Sequence, residues 1–384
     1  MNKITWINFL HIYQPPWQHK GVIDQVSSES YEYLLSLFNK YPNFKASLNI
    51  TGNLVEQLNE FHPELLKNLQ TLVDKGQIEL SASAKYHALL ALLPSAEIER
   101  QIQLNQESLA QYFDISKIKG FYMPEMAYSD DVAKVVKKFG FEWIILDPIN
   151  YKGQIEENTF YIHQKTKLKL VFRNRDISKS YPAEVIYKKL KKNEESQTII
   201  TGTDGEIYGH FHEDWQGHIE KILQNDNVLV KTVSQYLLDS KDEHKIKLRA
   251  ASWETSEEEL YRKVPFALWD NPKNKIHKAL WKLVDFDIKL INKYKQDKNW
   301  SWARNHLDRG LSSCTFWWAS ASKPSDFSPL TWNPDMIDSG TEELIRVARS
   351  LHLASNKEKI KAEKIYLDIK KNTWFSHWNK YNKQ

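Results

Sequence analysis

The strongest constraint on the fold is an alternation. Through the first two thirds of the chain, short β-branched or aromatic runs are separated by longer stretches with helical periodicity. Strands are expected near Ile4 to Leu10, Phe44 to Ile50, Gln77 to Ser81, Ile118 to Met123, Trp143 to Asp147, Lys169 to Phe172, Thr198 to Thr203 and Ile246 to Ala251. Of the helical stretches, Ser95 to Tyr112 reads as a helix with a Ser N-cap, Glu97 and apolar positions at Ile98, Ile102, Leu104 and Leu109. Asp130 to Phe139 carries the same start signal before Val132, Val135 and Val136. Repeated βα units argue for a parallel sheet, and seven or eight of them in about 260 residues is the size of a closed or nearly closed barrel. An open doubly wound sheet is the alternative. After Val264 the strand-like runs stop and helical patterns take over, in Lys273 to Tyr294 and Thr341 to Ser350 with a continuation to Lys371. The expected organisation is a barrel over 1–264 and a helical domain over 265–384. Leu311 to Pro334, rich in Ser, Pro and Trp, is too irregular for a helix pair and too aromatic for a linker.

Composition narrows the function classes. With 41% hydrophobic and 27% charged residues the chain has the material for a large core, which argues against disorder. No run approaches the roughly 18 apolar residues of a membrane span, and Ile4 to Leu10 reads as a buried strand rather than a secretory signal. The net charge of +4 is spread along the chain, so no nucleic-acid footprint is expected. The single Cys314 makes no intrachain disulfide and no cysteine metal site, which fits a reducing compartment, and a cytoplasmic location is expected. Of the 14 tryptophans, Trp17, Trp215, Trp253, Trp269, Trp317, Trp318 and Trp332 lie among Gly, Pro, Asn, Asp or Glu. A flat apolar ring beside hydrogen-bonding groups suits a sugar, and core packing is the alternative for any one of them.

In a parallel barrel the functional groups gather where the strands end. Here those ends are polar throughout: His11-Ile12-Tyr13-Gln14-Pro15 after the first, Glu79 with Tyr86-His87 after the third, Met123-Pro124-Glu125-Met126-Ala127-Tyr128 after the fourth. Asp147 closes the fifth, Arg173 the sixth, and Asp204-Gly205-Glu206-Ile207-Tyr208-Gly209-His210 follows the seventh. Two carboxylates converging in an aromatic cleft are the minimum equipment for cleaving a glycosidic bond. Glu125 and Asp204 form one such pair, and Glu79, Glu206 and Asp147 are rivals on composition alone.

The ordered set His11 to Pro15, Gly76 to Leu80, Met123 to Tyr128, Asp204 to Gly209 and Ser313-Cys314-Thr315-Phe316-Trp317-Trp318 resembles the motif series of glycoside hydrolase family 57, with Tyr86-His87 and Leu92-Leu93-Pro94 adding to the likeness. The resemblance implies an incomplete (β/α)7 barrel followed by a helical region, and a retaining mechanism on α-linked sugars. It further implies Glu125 as nucleophile and Asp204 as acid/base, with His11 and Glu79 lining the sugar subsite and Trp317 or Trp318 supplying an aromatic from the helical region. Gln14, His87, Tyr128, Glu206 and Trp253 complete the expected substrate-binding set. A retaining pair is expected roughly 5 to 5.5 Å apart. Tyr128 or His11 is expected to keep Glu125 ionised, Glu206 to raise the pKa of Asp204 by like-charge repulsion, and Gly205 and Gly209 to allow a tight turn.

The chain departs from that motif series where Tyr13 replaces a second histidine, and it is shorter than the family's typical amylases, transferases and branching enzymes. Related seven-stranded barrels include metal-dependent deacetylases and α-mannosidases, whose sites use a His-x-Asp pair. Tyr13 stands two after His11, so no metal is expected, although His11, His87, His210 and His212 are available to approach one another. The reading is therefore a cofactor-independent retaining glycosidase on α-glucan. The alternatives are a 4-α-glucanotransferase or α-galactosidase of the same family, and a non-catalytic carbohydrate-binding homologue. The oligomeric state is left open.

Overall fold

The chain is described by a computed structural model covering residues 3–156, 159–192, 195–239, 243–321 and 331–381. Among the described residues ten strands form one sheet: β1 (Ile4–Ile12), β2 (Ala46–Ile50), β3 (Ile78–Ala82), β4 (Gly120–Phe121), β5 (Trp143–Leu146), β6 (Phe160–His163), β7 (Lys169–Phe172), β8 (Gln197–Asp204), β9 (Val228–Lys231) and β10 (Glu243–Ile246). Seven of them lie parallel in the order β7-β5-β4-β3-β2-β1-β8. β9 pairs with the first half of β1 and β2 with its second half, while antiparallel β6 and then β10 extend the β7 side. This is the expected incomplete (β/α)7 barrel. β6 and β9 had no sequence expectation. The strand expected at Ile246 to Ala251 instead ends at Ile246, and Ala251 makes only an isolated bridge to Tyr128.

β1 shows why these runs are strands. Ile4, Trp6, Leu10 and Ile12 enter the apolar layer shared with the surrounding helices, while Ile7 and Phe9 point into the barrel. The same alternation turns Ser47 and Asn49, Glu79 and Ser81, Trp143 and Ile145, and Ile200 and Gly202 inward. A short helix, Val233–Asp239, fills the interior: Val233, Tyr236 and Leu237 pack with Ile7, Phe9, Trp143 and Ile145. Its first amide groups are met by the barrel wall. Val233 N–H donates to Ser47 Oγ at 2.8 Å, Ser234 N–H donates to Glu79 Oε2 at 3.1 Å, and Ser47 Oγ donates to the same Glu79 oxygen at 2.7 Å. A carboxylate at a helix start satisfies an otherwise orphaned N–H and complements the positive end of the dipole.

Among the described residues no strand joins β7 to β8. Side chains close that edge: Asn174 donates from its backbone N–H to Ile200 O at 2.6 Å and accepts from Ile200 N–H at Oδ1 at 2.7 Å, as a paired strand would. One register further, Ser178 Oγ accepts from Gly202 N–H at 3.1 Å and Arg173 Nη1 donates to Gly202 O at 2.8 Å.

The helices follow the expected starts with one correction. Asp130–Lys138 is capped by Ser129, whose side chain accepts from Val132 N–H. In Ser95–Leu109 the N-cap is Pro94, and Ser95 is already the first helical residue, because the extended Pro94 fixes the entry. The chain divides into two compact units, one of 1–14, 18–85 and 90–254, the other of 15–17, 86–89 and 255–384. The boundary expected at 264 falls inside the second unit, where Thr255 Oγ1 donates to Pro265 O at 2.5 Å. That unit is helical: Lys275–Lys293, Trp300–Gly310, Ser313–Trp318, Pro334–Ser350 and Asn356–Ser376. Within the irregular Leu311 to Pro334 stretch, Ser313–Trp318 is helical and 322–330 lies outside the described residues. No helix among the described residues is long and apolar enough to cross a membrane.

Two substitutions test this frame. Glu79→Ala removes the cap of the interior helix and is expected to lower the stability of the barrel by about 1–2 kcal/mol, read as a lower urea midpoint at unchanged m. Gly120 has no room for a side chain, since a Cβ there would lie 2.0 Å from the buried Trp143 ring. Gly120→Ala is expected to cost about 1–3 kcal/mol through overpacking, and a midpoint equal to wild type would show that Trp143 relaxes freely.

Candidate active site

The inward alternation carries polar side chains to the strands' C-terminal ends: His11 after Phe9, Asn49 after Ser47, Asp147 after Ile145, Arg173 after Val171 and Asp204 after Gly202. His11 and Asp204 are register partners on β1 and β8. Tyr122 and Glu125 follow β4, and Trp253 and Glu254 follow β10.

Glu125 sits in a strained turn. Its φ of 62° and the 46° of Met126 place two successive non-glycine residues in the left-handed region, which costs energy unless the surroundings hold them. The hold is a two-point clamp from Trp253, whose backbone N–H donates to Glu125 O at 3.1 Å and whose Nε1 donates to Glu125 Oε2 at 3.0 Å. The expected support from Tyr128 is corrected here. Its hydroxyl donates to Asp130 Oδ1 at 2.6 Å and lies 2.9 Å from His163 Nε2, so it is committed away from Glu125. The fully buried Tyr122 ring, which sequence reading passed over because β4 is too short to show a period, stacks on His11 at 4.5 Å and edges against Trp253 at 6.0 Å. Its hydroxyl feels both Glu125 and Asp204, and burial raises its pKa well above the ordinary value.

Asp204 is accessible to solvent at the end of β8, yet protein atoms crowd it closely. Accessible area records one open side, whereas desolvation depends on everything around the carboxyl. Burial pushes its pKa up to about 7, the Glu254 charge adds to the rise, and Arg173 opposes it. Glu206 is raised further, to about 8, by burial and then by Asp204, against the Tyr31 hydroxyl and the backbone of Tyr13. The expectation that Glu206 raises Asp204 is thereby corrected. The charge that adds to the rise of Asp204 is that of Glu254, and Asp204 in turn raises Glu206. Tyr31 Oη donates to Glu206 Oε1 at 2.6 Å, and Gln14 Nε2 donates to Tyr31 Oη at 3.3 Å, which links two expected sugar-binding residues through a third, buried one. Gly209 has φ +103°, while Gly205 is required by space, a Cβ there lying 2.5 Å from Ile12.

His11 has a pKa lowered to about 4 by burial, against its bond to Asn49, so it is neutral. Its tautomer follows from its partner. Asn49 Nδ2 donates to the carbonyls of Ser81 and Ala82, so Asn49 Oδ1 is the acceptor for His11 Nδ1–H at 2.7 Å, and Nε2 carries a lone pair.

Glu79 faces inward one layer below His11, and its Oε2 is spent on the interior helix. His87 belongs to the second unit, where Ser313 Oγ is 2.9 Å from its Nδ1. Trp317 and Trp318 are half-buried in that unit with ring centres 6.3 Å apart. The remaining histidines do not converge on His11: His210 bonds Glu29 at 2.5 Å, and the His212 ring lies 4.2 Å from that of Tyr181. Among the described residues no three His, Cys, Asp or Glu side chains cluster as a metal site would. A cavity of about 410 Å³ at the gap between β7 and β8 is bounded by Arg173, Arg175, Tyr161 and Tyr236, and neither Glu125 nor Asp204 lines it.

The profile of Glycosyl hydrolase family 57 matches residues 11–249. An Alpha-amylase of Pyrococcus abyssi is 25% identical over 280 residues, 66% of this chain and 42% of its own length. A 4-alpha-glucanotransferase of Thermococcus litoralis is 23% identical over 259 residues, 62% of this chain and 39% of its own. This chain thus spans less than half the length of these relatives. Among solved structures, the crystal structure of 4-alpha-glucanotransferase from Thermococcus litoralis superposes with a TM-score of 0.71 at 17% identity, covering 91% of this chain and 60% of that one. A GH57-type branching enzyme from Pyrococcus horikoshii superposes with a TM-score of 0.66, also at 17% identity, covering 98% and 95%. With a profile match over most of the barrel and strand ends that carry the motif residues in order, the chain belongs to glycoside hydrolase family 57.

Proposed function

We propose that this protein cleaves α-glucan with retention of configuration, Glu125 acting as nucleophile and Asp204 as acid/base. The observation that carries the reading is the asymmetry between the two carboxyls at one barrel end. Glu125 accepts a directed N–H from Trp253, which favours its charged form, while Asp204 holds a proton to about pH 7. Glu125 attacks the anomeric carbon as Asp204 protonates the departing glycosidic oxygen, giving a covalent glycosyl ester and a free sugar end. Asp204, now charged, takes the proton of an incoming water or sugar hydroxyl, and that oxygen displaces Glu125. Neutral His11, with a lone pair on Nε2, is suited to accept from a sugar hydroxyl in the same subsite. His87, Trp317 and Trp318 join the proposed sugar-binding set by their place in the motif series.

The known relatives support the substrate class, as both amylase and glucanotransferase names occur among them. Hydrolysis and transfer share the same intermediate, and the products separate them. With maltooligosaccharides of defined length, shorter products alone identify a hydrolase, and a ladder of shorter and longer ones identifies a transferase. No change in the sugars, for a folded wild type, overturns the proposal for α-glucan.

Glu125→Gln and Asp204→Asn are each expected to lower kcat by at least about 10²-fold with the far-UV spectrum unchanged, and wild-type rates in either would remove that residue from its role. Because Asp204 acts as an acid, its contribution is present below its pKa and lost as pH rises through it. The pH profile of kcat/KM is expected to fall above about 7, and activity level to pH 9 would contradict the assignment.

A further inference from the structure

Behind Glu125 and Asp204 lies a buried charged cluster that the proposed mechanism does not use. Asp147 is fully buried and accepts from Arg173 Nε at 2.8 Å, from Arg175 Nη1 at 3.2 Å and from the backbone of Ile149 at 3.0 Å. Arg173 is 4% exposed. It is held in place by Asp147 and by its bond to Gly202 O, two residues before Asp204. On its other side its guanidinium lies 5.0 Å from the Trp253 ring centre. Arg175 Nη2 donates to Trp253 O at 3.0 Å, so both arginines bear on the residue that clamps Glu125.

We propose that Arg173 is a positioning residue serving both reacting carboxyls: it seats the Trp253 indole that holds Glu125 in its strained turn, and it sets a fixed positive charge beside Asp204. Asp147 orients Arg173 and has no contact with the reaction. The proposal rests on Glu125 and Asp204 being the reacting pair. Two physical arguments lead to it. A left-handed Glu-Met pair persists only where surrounding contacts over-determine it, and Trp253 supplies two of those contacts, one to the Glu125 carbonyl and one to its carboxylate. A guanidinium fixed by a buried carboxylate loses little freedom in seating a ring, and it stacks in a way that a lysine ammonium does not reproduce. The charged and titratable groups bearing on Asp204 are Glu206 on its own turn, Glu254 after β10, Tyr122 after β4, Tyr31 from the helical segment between β1 and β2 and Arg173 after β7. Arg173 is the cation among them.

Arg173→Gln, Arg173→Lys and Trp253→Phe separate the two effects. Arg173→Gln leaves Asp147 paired with Arg175, so the buried carboxylate is not stranded. It is expected to lower kcat by about 10- to 100-fold with KM changed less than about threefold, and to move the basic limb of the pH profile up by about one unit. Arg173→Lys is expected to return the limb toward wild type while kcat stays low, because charge is restored without stacking. Trp253→Phe is expected to lower kcat by a similar factor and leave the limb in place, since only the indole N–H is lost. A folded Arg173→Gln protein with wild-type kcat and limb overturns the proposal. A carboxyl-¹³C titration of Asp204, its resonance identified by its absence in Asp204→Asn, needs no substrate. An upward shift in Arg173→Gln supports the placement of the charge even if no glucan is cleaved, and an unmoved titration refutes it.

Discussion

A barrel one strand short must satisfy the open edge of β8 without an eighth strand, while β6 pairs with β7 on the other side. In this protein the rest of the architecture follows from how that is done. Asn174 imitates a strand partner for Ile200, Ser178 and Arg173 cover Gly202, and the edge of β8 is thereby paired one step before it delivers Asp204. Unpaired backbone groups there would otherwise cost free energy comparable to lost hydrogen bonds. The same gap leaves the interior too wide for strand side chains alone, and the Val233–Asp239 helix fills it with Val233, Tyr236 and Leu237.

Arg173 joins the fold to the chemistry. Its bond to Gly202 closes the edge, its ion pair with Asp147 fixes the guanidinium, and its face supports Trp253. One side chain contributes to closure, to the orientation of Glu125 and to the field at Asp204. A buried ion pair contributes little net stability beside its desolvation cost, so the position of Arg173, reaching from β7 to β8 and Trp253, is more informative than its energy. The carboxyl pair also obeys a local logic. Burial raises both Asp204 and Glu206 toward the neutral range, with the Glu254 charge adding at Asp204 and the Asp204 charge adding at Glu206.

Much of the barrel was legible because a strand buried on both faces has a short, strongly patterned run, as Ile4–Ile12 and Lys169–Phe172 do. β9 and the interior helix were not, because Val228–Lys231 is half exposed and pairs with half a strand, and the helix is too short to establish a period. The motif residues were equally legible, yet their partners were not. Tyr128 looked like support for Glu125 because it is three residues away. Trp253, 128 residues away, provides that support, since the turn at Glu125 sends Tyr128 toward His163 and leaves the carboxyl facing the segment after β10.

The sequence alone determined the alternation of strand and helix, and therefore the parallel barrel, the strand ends and the identity of the groups that stand there. These depend on local pattern, because a strand buried on both faces reads as a short, nearly continuous apolar run. The tertiary structure decided which carboxyl keeps a proton, which histidine tautomer is present and which arginine holds which tryptophan. Those properties come from desolvation and from contacts between residues far apart in the chain, and no local pattern encodes either.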